Sequence, residues 1–168
     1  AETVLIVNIG SSVTNIAIVE NGVSRVVRDV FVSGNAITKI LQKNLQSSVE
    51  EAEDIKKKFG VLATTEDKDK ALSEDNREAI QVSNIITPVL KDISSEIQRS
   101  LDFYLSQSSD KTINRVLLCG GSSKLNNIDK YFANETKLPV EIFNPFLNIK
   151  NAGNISASEA PEYAIALG

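Results

Sequence analysis

The feature that most restricts the fold lies in residues 4–32, where three apolar, β-branched runs follow one another and Asn21-Gly22 separates the second from the third. Branching at Cβ crowds a helix and suits a pleated strand. Asn-Gly supplies the two positive-φ residues that a tight hairpin turn requires. Together these signals predict an antiparallel three-stranded meander. The first two runs are joined by a small-residue turn in VNIGSSVTNIAIV, residues 7–19. Gly10 permits a sharp bend there. The amides of Ser11, Ser12 and Val13, with the hydroxyls of Ser11, Ser12 and Thr14, can donate to an anion. The same residues also describe an ordinary serine-rich hairpin turn, and no lysine or carboxylate among them decides between the two.

After Ser33-Gly34 the apolar period becomes helical, with Ile37, Ile40, Leu41 and Leu45 on one face. Ser48 and Glu51 are spaced as a capping box opening a second helix, which Gly60 stops. Residues 61–75 are charged and aperiodic, which predicts a mobile loop. From about residue 74 to 107, Ile86, Leu90, Ile93, Ile97, Leu101, Tyr104 and Leu105 form one buried stripe, and Pro88 is expected to kink or divide that helix. Asp102, Phe103 and Tyr104 are expected to dock it. A strand over residues 116–119 then leads into Gly120-Gly121-Ser122-Ser123 and a helix over about 125–134. That arrangement aims helix N-terminal amides at an anion. A short strand over 140–143 and a helix from about 158 complete the reading.

Composition closes off several chemistries. The 168 residues contain no histidine and one cysteine, Cys119, which excludes Ser-His-Asp triads, Cys-His dyads, His-based zinc sites and an internal disulfide. Cys119 sits on an apolar strand and reads as a small core residue. The net charge of −4 argues against nucleic-acid binding, since only Lys56-Lys57-Lys58 clusters positive charge, and that run beside Glu50, Glu51, Glu53 and Asp54 reads as a solvated helix face. No apolar run approaches the roughly 20 residues that cross a bilayer, and no signal peptide is present, which predicts a cytoplasmic protein. The lack of any methionine suggests a piece of a longer protein.

Two glycine-serine turns separated by a helical insertion resemble the nucleotide motifs of the actin-like ATPases, the fold shared by actin, sugar kinases, heat-shock chaperone ATPases and FtsA. VNIGSSVTNIAIV resembles the second phosphate motif, usually Asp-hydrophobic-Gly-small-Gly-Thr-Thr-Asp. VLLCGGSSKLNNI, residues 116–128, resembles the adenosine motif, with Gly120 and Gly121, followed by Ser122 and Ser123, where the backbone approaches adenosine and α-phosphate. Glu53 and Lys56 of EEAEDIKKKFG lie where a family glutamate and lysine contact ribose and base; as residues alone they also describe an exposed helical ion pair. EIQRSLDFYLSQ (96–107), LPVEIFNPF (138–146) and APEYAIALG (160–168) are similar to the PilM family of type IV pilus assembly proteins.

The resemblance implies an α/β fold, the second lobe of an actin-like (ribonuclease H-like) ATPase, with a mixed sheet and flanking helices. Residues 1–33 and about 75–168 would form subdomain IIA, about 34–74 the smaller IIB, and lobe I would lie outside the chain. It further implies ATP and Mg²⁺ as cofactors, the PilN cytoplasmic N-terminal peptide as a partner docking on lobe I, other pilus platform proteins, and self-association into a ring beneath the inner membrane. Asn8 departs from the motif: the family aspartate there holds the metal's hydration shell, so Asn8 touches metal only weakly and through water. Ser12, Val13 and Asn15 depart as well. Loss of metal-facing carboxylates weakens phosphoryl transfer more than binding, so the departures imply nucleotide binding with little or no ATPase activity. An FtsA-like division protein and an active actin-fold ATPase or kinase remain the alternatives.

Overall fold

The computed structural model of the chain describes residues 2–145, 156 and 158–164. Strands β1 (Thr3–Ile9), β2 (Thr14–Glu20) and β3 (Val23–Val30) form the expected antiparallel meander, with Asn21 and Gly22 both at positive φ in the turn. Strands β4 (Arg115–Cys119) and β5 (Val140–Ile142) extend it in parallel from the β1 side, giving a mixed sheet in the order β3-β2-β1-β4-β5.

Alternate residues of the central strands, Leu5, Val7, Ile9, Ile16, Ile18, Val116 and Leu118, are fully buried on one face. The helices α1 (Gly34–Leu45) and α4 (Arg77–Leu105) pack there through Ile37, Leu41, Ile86, Leu90, Ile93 and Ile97, and one continuous core results. Between them, α2 (Val49–Phe59) opens with the expected capping box, in which the Glu51 amide donates to Ser48 Oγ and the Ser48 amide to the Glu51 carboxylate. Gly60 ends it at φ +64°.

Two expectations need correction. Residues 61–75 are not a mobile loop: α3 (Thr65–Ser73) occupies most of the segment, opened by a reciprocal Thr64–Asp67 capping box. Its approach is tied down by Val61 N–H on Asn126 O, Leu62 N–H on Ser83 Oγ, and Asn134 Nδ2 on Ala63 O. Only Ala71 of this helix is buried, so no apolar stripe announces it. Pro88 does not divide the long helix, which runs unbroken for 29 residues. Pro88 and Asn84 lie on the exposed face, where water can serve the Asn84 carbonyl that the ring deprives of its donor.

The turn after β4 also differs from expectation. It forms a single 3-10 turn, Gly121–Lys124, and the next helix, α5 (Ile128–Thr136), starts later than expected. The last expected helix appears as a 3-10 turn, Ala160–Tyr163; residues 165–168, to which that expectation extended, and Phe146 lie outside the described residues. Among the described residues no helix is long and apolar enough to cross a membrane.

Of the three residues expected to dock the long helix, only Tyr104 does so. It is fully buried, and its hydroxyl donates to Glu20 Oε1 at 2.9 Å; Phe103 and Asp102 are exposed. Lys111 bonds the same oxygen, and Arg25 pairs with Oε2. Hydrogen bonds from Lys111 and then Tyr104 hold the Glu20 carboxyl down at about 2, against a smaller opposing effect of burial. A carboxyl depressed on folding stabilises above its unfolded pKa and loses that contribution as pH falls through the folded value. The thermal-midpoint gap between wild type and Glu20→Gln, present at pH 6, therefore narrows as pH falls from 4.5 toward 2. Midpoints recorded across that range check it.

Candidate nucleotide-binding site

Parallel pairing sets Asn8 opposite Cys119, so the turns that leave β1 and β4 emerge side by side at one edge of the sheet. The N-terminus of α1 is wedged between them. Gly34 N–H donates to Gly10 O at 3.0 Å and Asn35 N–H to Ser11 O at 2.8 Å; Ser33 Oγ donates to Ser11 O at 2.7 Å and makes no cap to its own helix. A Cβ on Gly34 would lie 2.3 Å from Ser122 Oγ and 3.1 Å from Gly10 O, so the close meeting of the three segments leaves little room for a side chain here. Gly120 is constrained similarly. At φ +85°, its missing Cβ would fall 2.5 Å from Asn8 Oδ1 and 2.6 Å from Ile9 O.

Ser11, Glu53, Lys56, Gly121 and Ser122 line one cleft of about 560 Å³. Other residues named from sequence support it from behind. Gly10 N–H donates to Val13 O at 3.0 Å, and Ser12 Oγ accepts from Asn35 Nδ2 at 3.4 Å. Thr14 Oγ1 donates to Val32 O and Ser123 Oγ to Gly120 O, each at 2.7 Å and both buried, which removes these hydroxyls from the cleft face. The amides of Ser11, Ser12, Val13, Gly121 and Ser122 have no acceptor among the described residues. Adjacent unsatisfied amides of this kind favour an anion.

Asn8 is 8% exposed, and its Nδ2 donates to Asn15 Oδ1 at 2.9 Å; Asn15 Nδ2 donates in turn to Asp29 Oδ1 at 2.7 Å. A polar ladder therefore crosses β1, β2 and β3 on the sheet face opposite the core, where it lines a second pocket of about 660 Å³ with Ile6, Ala17, Leu117 and Phe143.

On α1 and α2, Thr38, Glu53 and Lys56 form a triangle. Thr38 Oγ1 donates to Glu53 Oε1, and Lys56 Nζ reaches Glu53 Oε1 at 2.7 Å and Thr38 Oγ1 at 3.0 Å. Partial burial of Glu53 opposes ionisation, but the bonds from Lys56 and Thr38 outweigh it and hold the carboxyl below its usual range. Both bonds fall on Oε1, which leaves Oε2 to accept from a ligand hydroxyl. The lysine run is not a uniform solvated face. Lys56 is 12% exposed within the triangle, Lys57 lines the cleft, and Lys58 lies over the Phe59 ring.

Sequence reasoning missed Thr38, Asn35, Lys57, Lys124 and Glu162, all of which are in or against the cleft. Lys124 pairs with Glu162, whereas Lys57 forms no ion pair among the described residues and acts on Glu53 only through its charge, which adds positive potential to the cleft. Ser33-Gly34 was a legible signal, read only as punctuation. Cys119 is buried, which pushes its thiol up to about 11, and it has no part in nucleophilic chemistry.

The mixed sheet, the meander and the paired turns have the actin-like fold. Residues 1–168 match the family model described as type IV pilus assembly protein PilM, and the chain belongs to the PilM family. Among solved structures it resembles a PilM–PilN type IV pilus biogenesis complex (TM-score 0.77, 21% identity, covering 99% of this chain and 44% of that one). MreB 5 of Spiroplasma citri bound to AMPPNP is similar too (0.70, 20%, 99% and 51%), as is the ethanolamine utilization protein EutJ of Carboxydothermus hydrogenoformans (0.67, 18%, 99% and 47%). The chain thus spans about half the length of the solved chains it matches.

Gly120→Ala places a methyl group against Asn8 and Ile9 at a backbone angle that alanine disfavours. It should lower stability by about 2 kcal/mol or more. Urea denaturation checks this, and a variant as stable as the wild type would contradict the close approach of the two turns.

Proposed function

We propose that this chain is the nucleotide-binding second lobe of a cytoplasmic PilM-type scaffold for type IV pilus assembly, one that binds Mg·ATP and turns it over slowly or not at all. The observation that carries the proposal is the convergence of both glycine-serine turns, the α1 N-terminus and the Glu53–Lys56 pair on one cleft. The Ser11, Ser12 and Val13 amides would hold phosphate oxygens, with Lys57 supplying charge. The Gly121 and Ser122 amides would meet the α-phosphate side of the adenosine. Glu53 Oε2 would accept from a ribose hydroxyl, and the third Lys56 N–H would face the base. Residues 34–74 would correspond to subdomain IIB, and the rest to IIA.

The donor set is consistent with a hydrated metal. Mg²⁺ keeps most of its waters and reaches protein through them. Among the described residues no cluster of three or more His, Cys, Asp or Glu offers a direct cage, whereas Asn8 Oδ1 can accept from a metal-bound water. When bound, the ion would neutralise phosphate charge. The cleft carboxylates are already engaged: Glu53 with Lys56 and Thr38, Glu162 with Lys124. Neither is placed to orient an attacking water, which favours binding over hydrolysis.

One solved relative is a PilM–PilN complex, and a PilN-type cytoplasmic peptide docking on the other lobe is the partner we propose, with self-association into a platform beneath the inner membrane. The family match favours this reading over an FtsA-like division protein.

Calorimetric titration of the full-length protein with Mg·ATP, with phosphate release assayed in the same samples, tests the proposal. Binding without turnover is expected, and enzyme-like release would overturn the scaffold reading. Lys56→Ala should weaken ATP binding about tenfold, as loss of charged hydrogen bonds does. Its affinity for inorganic tripolyphosphate, which lacks ribose and base, should stay unchanged.

A further inference from the structure

The ladder Asn8–Asn15–Asp29 has a direction, and one of its members fixes it. An asparagine amide reaches two neighbouring strands with one end each, oxygen to one side and NH₂ to the other. A carboxylate can only accept. Asn15 must therefore turn its NH₂ toward Asp29, which it does at 2.7 Å. Its Oδ1 then faces Asn8 and accepts from Asn8 Nδ2 at 2.9 Å. Asn8 is left with its Oδ1 directed at the Gly120 turn, 2.5 Å from where a Cβ on Gly120 would lie. The same order follows whichever way either amide is first drawn, because reversing any link would set two acceptors face to face.

We infer that Asp29, two strands away on β3, is a positioning residue that locks Asn8 with its carbonyl oxygen toward the Gly120 turn and its NH₂ withheld, so that a nucleotide held at that turn is preferred with a hydrated metal over the bare nucleotide. The inference rests on the nucleotide reading above. An NH₂ turned toward Gly120 would donate to a phosphate oxygen there and suit metal-free nucleotide; an oxygen turned that way repels phosphate and accepts from metal-bound water. The ladder also explains why an aspartate cannot simply replace Asn8. With carboxylates at both ends, Asn15 has one NH₂ side for two acceptors. Inverting the ladder, with Asp at position 8 and Asn at position 29, satisfies every link again.

The experiment has two parts, both on the full-length protein. Without nucleotide, thermal midpoints are compared for wild type, Asn8→Asp, Asp29→Asn and the double variant. Asn8→Asp should lower the midpoint by about 1–2 °C, the effect of one mismatched hydrogen bond in a protein about twice the length of this chain, and adding Asp29→Asn should restore most of it. Additive losses, or an Asn8→Asp protein as stable as the wild type, would overturn the ladder. With nucleotide, the preference for Mg·ADP over ADP with EDTA is measured by calorimetry. Asp29→Asn leaves Asn8 free to flip and should cut that preference about fivefold, the effect of one hydrogen bond. Asp29→Glu, which still only accepts, should keep the preference closer to the wild-type value. An unchanged preference in Asp29→Asn would overturn the positioning role even if the thermal cycle couples. Failure of the wild type to bind ADP at all would instead overturn the nucleotide reading and the ligand half of this inference, while the thermal cycle still decides the ladder.

Discussion

The parallel pairing of β1 with β4 is the contact on which the rest depends. It joins residues more than a hundred positions apart and sets Asn8 beside Cys119, so that two short turns share one edge of the sheet. Ligands in open α/β sheets collect beyond the carboxyl ends of such strands. Everything between β3 and β4 must then return over one face, and α1 and α4 do so through the core of Ile37, Leu41, Ile86, Leu90 and Ile93. The N-terminus of α1 is left between the turns, where Gly34 admits it and the amides of Gly34 and Asn35 bind the carbonyls of the first turn. These carbonyls are held back, and the turn's own amides face outward.

Where local chemistry decided the structure, the sequence could be read. The meander followed from β-branched runs around Asn21-Gly22, the α2 boundaries from Ser48, Glu51 and Gly60, and α4 from its apolar stripe. Where tertiary contacts decided it, the reading failed. The α3 helix buries only Ala71 and is fixed by its Thr64–Asp67 cap and by bonds from α4 and α5 to the preceding residues, none of which leaves a periodic trace. Pro88 was expected to kink or divide the helix, and it does not divide it: its ring faces solvent and neighbouring turns hold the helix together. Within the site, the glycine turns were legible as motifs, but the burial of Thr14 and Ser123 and the part played by Thr38 depend on partners distant in sequence.

The departures at Asn8 and Asn15 form one arrangement. Two amides, anchored by Asp29 on the outer strand, replace carboxylates with a directional chain that carries no charge to the cleft edge. Negative charge at that edge would help orient a metal for phosphoryl transfer; a neutral acceptor can hold a hydrated metal without doing so. The remaining cleft carboxylates are tied to Lys56 and Lys124. This set of groups suits the proposed retention of a nucleotide with little or no turnover, in a chain that belongs to the PilM family of type IV pilus assembly proteins.

The most direct test of this account is a crystal structure of the full-length protein with a non-hydrolysable ATP analogue and Mg²⁺. The account predicts phosphates against the Ser11–Val13 amides, the ribose on Glu53 Oε2, and Asn8 Oδ1 on a metal-bound water. A nucleotide bound away from this cleft, or Asn8 donating its NH₂ to a phosphate oxygen, would contradict it.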